Sequence, residues 1–188
     1  MDESEARQRV LSAAEELYYR KGYAAVGMDE LRTAAGVSLR RLYGLFSSKG
    51  EIVKAVLARR HEEWEVALTA RVDAAGPSAR ERLVAVYSYL EEWFCTDSFR
   101  GCAFINAFGE LGGNDPEIAE IVRAHKASFQ RYMAGLVADI GAPASLADQL
   151  SILAEGAQST AAISGDPAVA RQARDAAEVL IEVSVGER

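Results

Sequence analysis

Arg40, Arg41 and Tyr43 crowd into the stretch AAGVSLRRLYGLFSSKGEI, residues 34–52, with Lys49 near its end. An arginine guanidinium grips a phosphate, or the O6 and N7 edge of guanine, in two-pronged fashion, and a tyrosine can stack on a sugar while its hydroxyl meets phosphate. The chain around the stretch is acidic, with a formal charge of −7, yet residues 1–60 hold 11 Lys and Arg against 8 Asp and Glu. A local +3 beside −10 for the remainder suggests a small module that meets a polyanion, attached to a larger body that does not.

Other chemistry has no visible machinery. The sequence holds no Cys-x-x-Cys, no His-x-x-x-His, no Gly-rich phosphate loop and no Gly-x-Ser-x-Gly, and with 2 histidines a metal cage is not expected. The expectation is therefore a protein that is not an enzyme and that takes no cofactor and no metal. Cys95 and Cys102 stand across a break in the helical pattern; buried, reduced thiols are the default reading, and redox sensing is the alternative. A composition 49% hydrophobic and 26% charged is that of a globular domain able to bury a core without disulfides. The N-terminus is charged from its second residue, and no run approaches the roughly 18 to 20 apolar residues of a membrane span. The expected setting is the cytoplasm, with no membrane partner.

The elements that must position these residues all read as helices, about nine of them. Val10, Leu11, Ala14, Leu17 and Tyr18 form the stripe of a first helix that stops at Gly22. A second runs from about Met28 to Ala35, with Gly27 before it and Gly36 after it. Ser38 can cap a third over Leu39 to Phe46, and Ser48 with Glu51 makes a capping box for a fourth that reaches about Val72. Further helices are expected from Ser78 to about Cys95, from Cys102 to Leu111, from Pro116 to Ile140, from a Ser145–Asp148 capping box onward, and from Asp166-Pro167 to about Ser184.

A helix-turn-helix needs a small residue at the turn and apolar anchors that lock the second helix, leaving its N-terminal face free for the major groove. Ala34, Ala35 and Gly36 supply the turn, and Val37, Leu42 and Phe46 supply the anchors. Leu39, Arg40, Tyr43 and Gly44 are left facing out, with Arg41 at the rim and Lys49 at the start of the next helix, where backbone N–H groups favour phosphate.

The stretch MDELRTAAGVSLRRLYGLFSSKGEIVKAVL resembles the DNA-binding domain of the TetR (tetracycline-repressor-like) family, through Leu31, Ala35, Gly36, Val37, Ser38, Leu42, Tyr43, Phe46 and Lys49. The likeness covers about the first 60 residues; beyond them GCAFINAFGEL and the following Asp-Pro-Glu fit a looser family pattern. It departs from the pattern at Val26 and Gly27, where Thr or Ser is usual, at Gly44 and Leu45, and at Leu39, which is apolar where a polar residue is frequent.

The resemblance implies an all-α homodimer that binds a double-stranded DNA operator and represses transcription until a small-molecule effector binds its C-terminal domain. It divides the chain into a three-helix DNA-binding domain (1–48), a connecting helix (49–75) and a ligand-binding and dimerisation domain (76–188). DNA contacts are then expected from Met28, Ser38, Leu39, Arg40, Arg41, Tyr43, Gly44 and Lys49, and a pocket among Tyr89, Trp93, Phe104, Phe108, His125, Phe129 and Gln158. The small and large apolar residues Leu150, Leu153, Ala157, Ala161, Ala173, Ala177, Leu180 and Ile181 read either as intramolecular core or, as the resemblance favours, as a two-fold interface.

Overall fold

A computed structural model describes residues 2–186, and in them every regular element is an α-helix: α1 (Glu3–Lys21), α2 (Met28–Ala35), α3 (Leu39–Leu45), α4 (Lys49–Asp73), α5 (Ala79–Phe94), α6 (Ala103–Leu111), α7 (Pro116–Asp139), α8 (Ser145–Ser164) and α9 (Val169–Gly186). The chain forms two compact units, one from the residues up to Glu62 with Ala103–Arg123, the other from Glu63–Cys102 with the residues from Ala124 onward. The first unit thus takes in α6 and the start of α7, which division by sequence order places with the C-terminal part. The helices α4 and α7 contribute residues to both.

In the first unit α1 packs on α2 and α3. Asp2 opens α1 by accepting the Glu5 N–H at 2.8 Å, which satisfies one of the donors a helix start leaves unpaired. The apolar stripe foreseen on α1 is the buried one: Val10, Ala14, Leu17 and Tyr18 are buried, as are Leu31 and Ala35 of α2, Leu42 of α3, and Ile52, Val53, Val56 and Leu57 of α4. Each large aliphatic there contributes roughly 2 kcal/mol through burial. Glu15 takes charge-assisted bonds from Arg59 and from Arg60, the latter at 2.6 Å, and Arg60 also lies 4.5 Å over the Tyr19 ring.

In the second unit α5, α8 and α9 pack on one another. Their core joins Leu83, Val86, Tyr87 and Leu90 to Met133, Leu146, Leu150 and Ile181. Tyr87 is fully buried and donates its hydroxyl to the Leu150 carbonyl at 2.7 Å; burial pushes its pKa above the ordinary tyrosine range. Gly101 has φ +85, and a Cβ there would stand 2.9 Å from the Ala162 Cβ, so close packing requires glycine at this turn.

Two helix starts differ from expectation. Ala144 takes the cap position of α8, where it has no side chain able to accept, and Ser145 is already the first helical residue, while Asp148 accepts from the Gln130 amide. Asp166 accepts the Ala168 N–H at 2.8 Å in a turn that precedes α9, so the helix begins at Val169 and not at Pro167.

Candidate functional site

The turn into α3 is built by local rules. Gly36 adopts the left-handed conformation at φ 66, ψ 35 and closes α2 with bonds to the Arg32 and Thr33 carbonyls, and Ser38 then caps α3 by accepting the Arg41 N–H at 3.2 Å. Val37, Leu42 and Phe46 are buried and lock the helix from below. The opposite face carries Leu39 at 38% exposure and Tyr43 at 50%, with exposed Arg40 and Gly44 beside them. A Cβ added at Gly44 would meet nothing within 4 Å, so that position leaves open space on the outward surface.

Two cations of the sequence-predicted set are engaged inside the unit. Arg41 is half-buried, and its Nη2 donates to the Asp2 carbonyl at 2.7 Å, which ties α3 to the start of α1. Lys49 donates from Nζ to the Ala24 carbonyl at 3.1 Å; burial lowers its pKa, while the negative charge of Glu110 opposes the shift. Met28 is half-buried at the first position of α2, and Gly27 before it supplies no side-chain cap.

Sequence reasoning did not foresee the bond that Glu110 makes. From α6 its Oε2 accepts the Ala24 N–H at 2.8 Å, and Tyr23 donates from its hydroxyl to the Ala103 carbonyl at 3.2 Å. The loop between α1 and α2 is therefore held by α4 from one side and by α6 from the other. No helical period or local motif signals a bond of this range.

The aromatic residues expected to line a pocket fall into separate groups. In the second unit Trp64 gathers two of them, with ring centroids 5.0 Å from His125 and 5.5 Å from Phe129. Trp93 lies instead against Phe99 at 5.1 Å, Tyr89 is half-buried against the core, and Gln158 is buried with its Nε2 3.4 Å from the Ala154 carbonyl. Phe104, buried, and Phe108, exposed, belong to the first unit. A cleft of about 340 Å³ in the second unit is lined by Trp64, Glu65, Leu68, Thr69, Ser128, Arg131 and Tyr132. Trp64 links this cleft to His125 and Phe129. Nearby in sequence, Lys126 places Nζ 3.3 Å from the buried Cys102 Sγ and 2.6 Å from Glu155, while Cys95 is exposed.

The residues read as core or interface lie in or against the core of their own chain. Leu150, Ala157, Ala161, Ala173, Ala177 and Ile181 are buried in the core of their own chain, and Leu153 and Leu180 pack half-buried against it. The period of 3.6 identifies an apolar face but not what covers it, and here α5, α8 and α9 cover one another. The apolar surface these helices leave bare is a different one: Ile152 and Ile163 on α8, and Val179 and Val183 on α9, with Ile163 88% exposed.

A turn, an anchored helix and an outward basic and aromatic face define a helix-turn-helix DNA-binding module, and comparison with known proteins gives the same class. The family model of bacterial regulatory proteins of the tetR family matches residues 10–56. The transcriptional activator FasR of Mycolicibacterium smegmatis is 51% identical over 55 residues, which is 29% of this chain and 25% of FasR. The repressor NemR of Escherichia coli K12 is 26% identical over 110 residues, 58% of this chain and 55% of NemR. The chain thus spans a quarter to about half the length of these curated relatives. Among solved structures, a TetR-family regulator from Streptomyces coelicolor superposes with a TM-score of 0.86 at 29% identity over 97% of both chains. A TetR transcriptional regulator from Streptomyces avermitilis gives 0.75 at 30% identity, over 92% of this chain and 98% of that one. This chain belongs to the TetR family of transcriptional regulators. No helix among the described residues is long and apolar enough to cross a membrane.

Proposed function

We propose that the chain is a homodimeric repressor that binds a palindromic DNA operator through α3 of each protomer and is released by a small apolar or amphipathic ligand. The observation that carries the reading is the outward face of α3, where Arg40 and Tyr43 stand over buried Leu42 and Phe46. In such a fold the N-terminal residues of the second helix meet base edges, and the paired helices of a dimer sit about 34 to 36 Å apart, one DNA turn. The bare apolar residues Ile152, Ile163, Val179 and Val183 support pairing of α8 and α9 with their copies, a use of exposed aliphatic surface that a monomer does not need. The sign of regulation rests on NemR, named a repressor; FasR is named an activator.

Ligand control draws support from Trp64, His125 and Phe129, which gather aromatic surface in the second unit next to a cleft. A ligand shifts DNA affinity only by its preference for one state, so a tenfold loss of operator binding needs about 1.4 kcal/mol of differential affinity. The test is selection of random duplexes on the purified chain, followed by fluorescence anisotropy across a salt series. Recovery of a palindrome bound more weakly as salt rises supports the reading; binding of no duplex at low salt rejects it.

A further inference from the structure

The reading face of α3 begins with an aliphatic side chain. Leu39 is the first residue of the helix, follows the capping Ser38 directly, and is 38% exposed. It is not needed for the core, since α3 is anchored through Leu42, wholly buried, and through Phe46 just beyond its end. Tyr43 stands four residues further on the same side, and Gly44 leaves open space beside it. The outward surface is therefore one aliphatic group and one ring flanked by the Arg40 guanidinium.

Leucine has neither donor nor acceptor, so it can select a base only through apolar contact. Among the base edges in the major groove, the methyl group presented for apolar contact is the C5-methyl of thymine. Arg40, adjacent to it, is a polar reader suited to guanine O6 and N7. We propose that Leu39 is a specificity-determining residue that reads a thymine in each operator half-site through its C5-methyl group. The proposal rests on the DNA-binding reading above and adds the base that the helix start demands.

The experiment replaces each thymine of the selected half-site in turn by deoxyuridine, which removes the methyl group and keeps every hydrogen-bonding atom. For the wild-type chain one such position should weaken binding about fourfold per half-site, the worth of one buried methyl group. Leu39→Ala should bind thymine and uracil duplexes equally at that position, whereas Arg40→Ala should retain the wild-type preference. Thermal melting of Leu39→Ala should match the wild type, since the side chain is outside the core. A half-site without thymine, indifference to uracil at every thymine, or an unchanged preference in Leu39→Ala each overturns the inference while the DNA-binding reading stands. Failure to bind any duplex overturns both.

Discussion

Glu110 of α6 accepts the backbone N–H of Ala24 at 2.8 Å across 86 residues of sequence, and Lys49 of α4 donates to the carbonyl of that same Ala24 at 3.1 Å. Opposite charges from two helices thus hold both polar groups of one residue in the loop that leads into α2 at Met28.

Gly22 makes the clamp testable. Its φ is +91, and a Cβ there would stand 3.0 Å from both Glu110 carboxylate oxygens. Gly22→Ala should therefore destabilise the chain by roughly 1 to 3 kcal/mol, from backbone strain and from displacement of the carboxylate. In a Glu110→Ala background the same change should cost less, because only the strain remains. Urea melts of the four chains of this cycle check the coupling, and strictly additive effects would sink the clamp.

On α3, Arg40→Ala and Tyr43→Ala should weaken operator binding without shifting the melting temperature, since both side chains are exposed. Removing a cation that neutralises one phosphate should flatten the slope of log K against log salt by about 0.9. Arg41→Ala should behave differently: it removes the tie to the Asp2 carbonyl, so its first effect is faster amide exchange at the start of α1. Equal melting and exchange in all three variants would contradict this division of labour.

Ala177 and Val179 separate core from surface on α9. Ala177 is wholly buried, so Ala177→Glu places an unpaired charge in the core and should cost several kcal/mol, unfolding the second unit. Val179 is 60% exposed, and Val179→Glu or Ile163→Glu should leave a folded chain that light scattering finds as a monomer with weakened operator affinity. A wild-type chain monomeric at micromolar concentration would reject the α8 and α9 pairing.

The two tryptophans allow the proposed ligand site to be tested. Trp64 contacts His125 and Phe129, whereas Trp93 lies against Phe94 and Phe99. An amphipathic ligand found by thermal-shift screening should change the indole emission of the Trp93→Phe chain and leave that of Trp64→Phe unaltered. The reverse pattern would move the site to the Trp93 cluster.

Local rules made the DNA-reading half legible. Gly36 and Ser38 fix the turn and the cap through bonds between near neighbours in sequence, and the buried face of α3 follows from the spacing of Leu42 and Phe46. Lys49 was ambiguous for a physical reason: a cation at a helix start suits a phosphate and a loop carbonyl equally, and only the tertiary fold brings the Ala24 carbonyl to it. The same holds for α8 and α9. They are apolar on more than one side: the period puts Ala177 and Val179 on different faces of α9, about 200° apart, but does not say which face is covered within the chain. The bond made by Glu110 was not legible because its partner is a backbone N–H, which no residue type announces.

Cys95 is exposed at the end of α5, while Cys102 is buried. With no other thiol in the sequence, the unmodified chain is already a single-site labelling reagent. A maleimide or nitroxide probe added under native conditions should attach at Cys95 alone. In a two-fold assembly that gives one probe on each protomer, and hence a single interprobe distance measurable by pulsed electron resonance. The spacing between subunits can then be followed with operator present and with effector present, without engineering a cysteine or removing one.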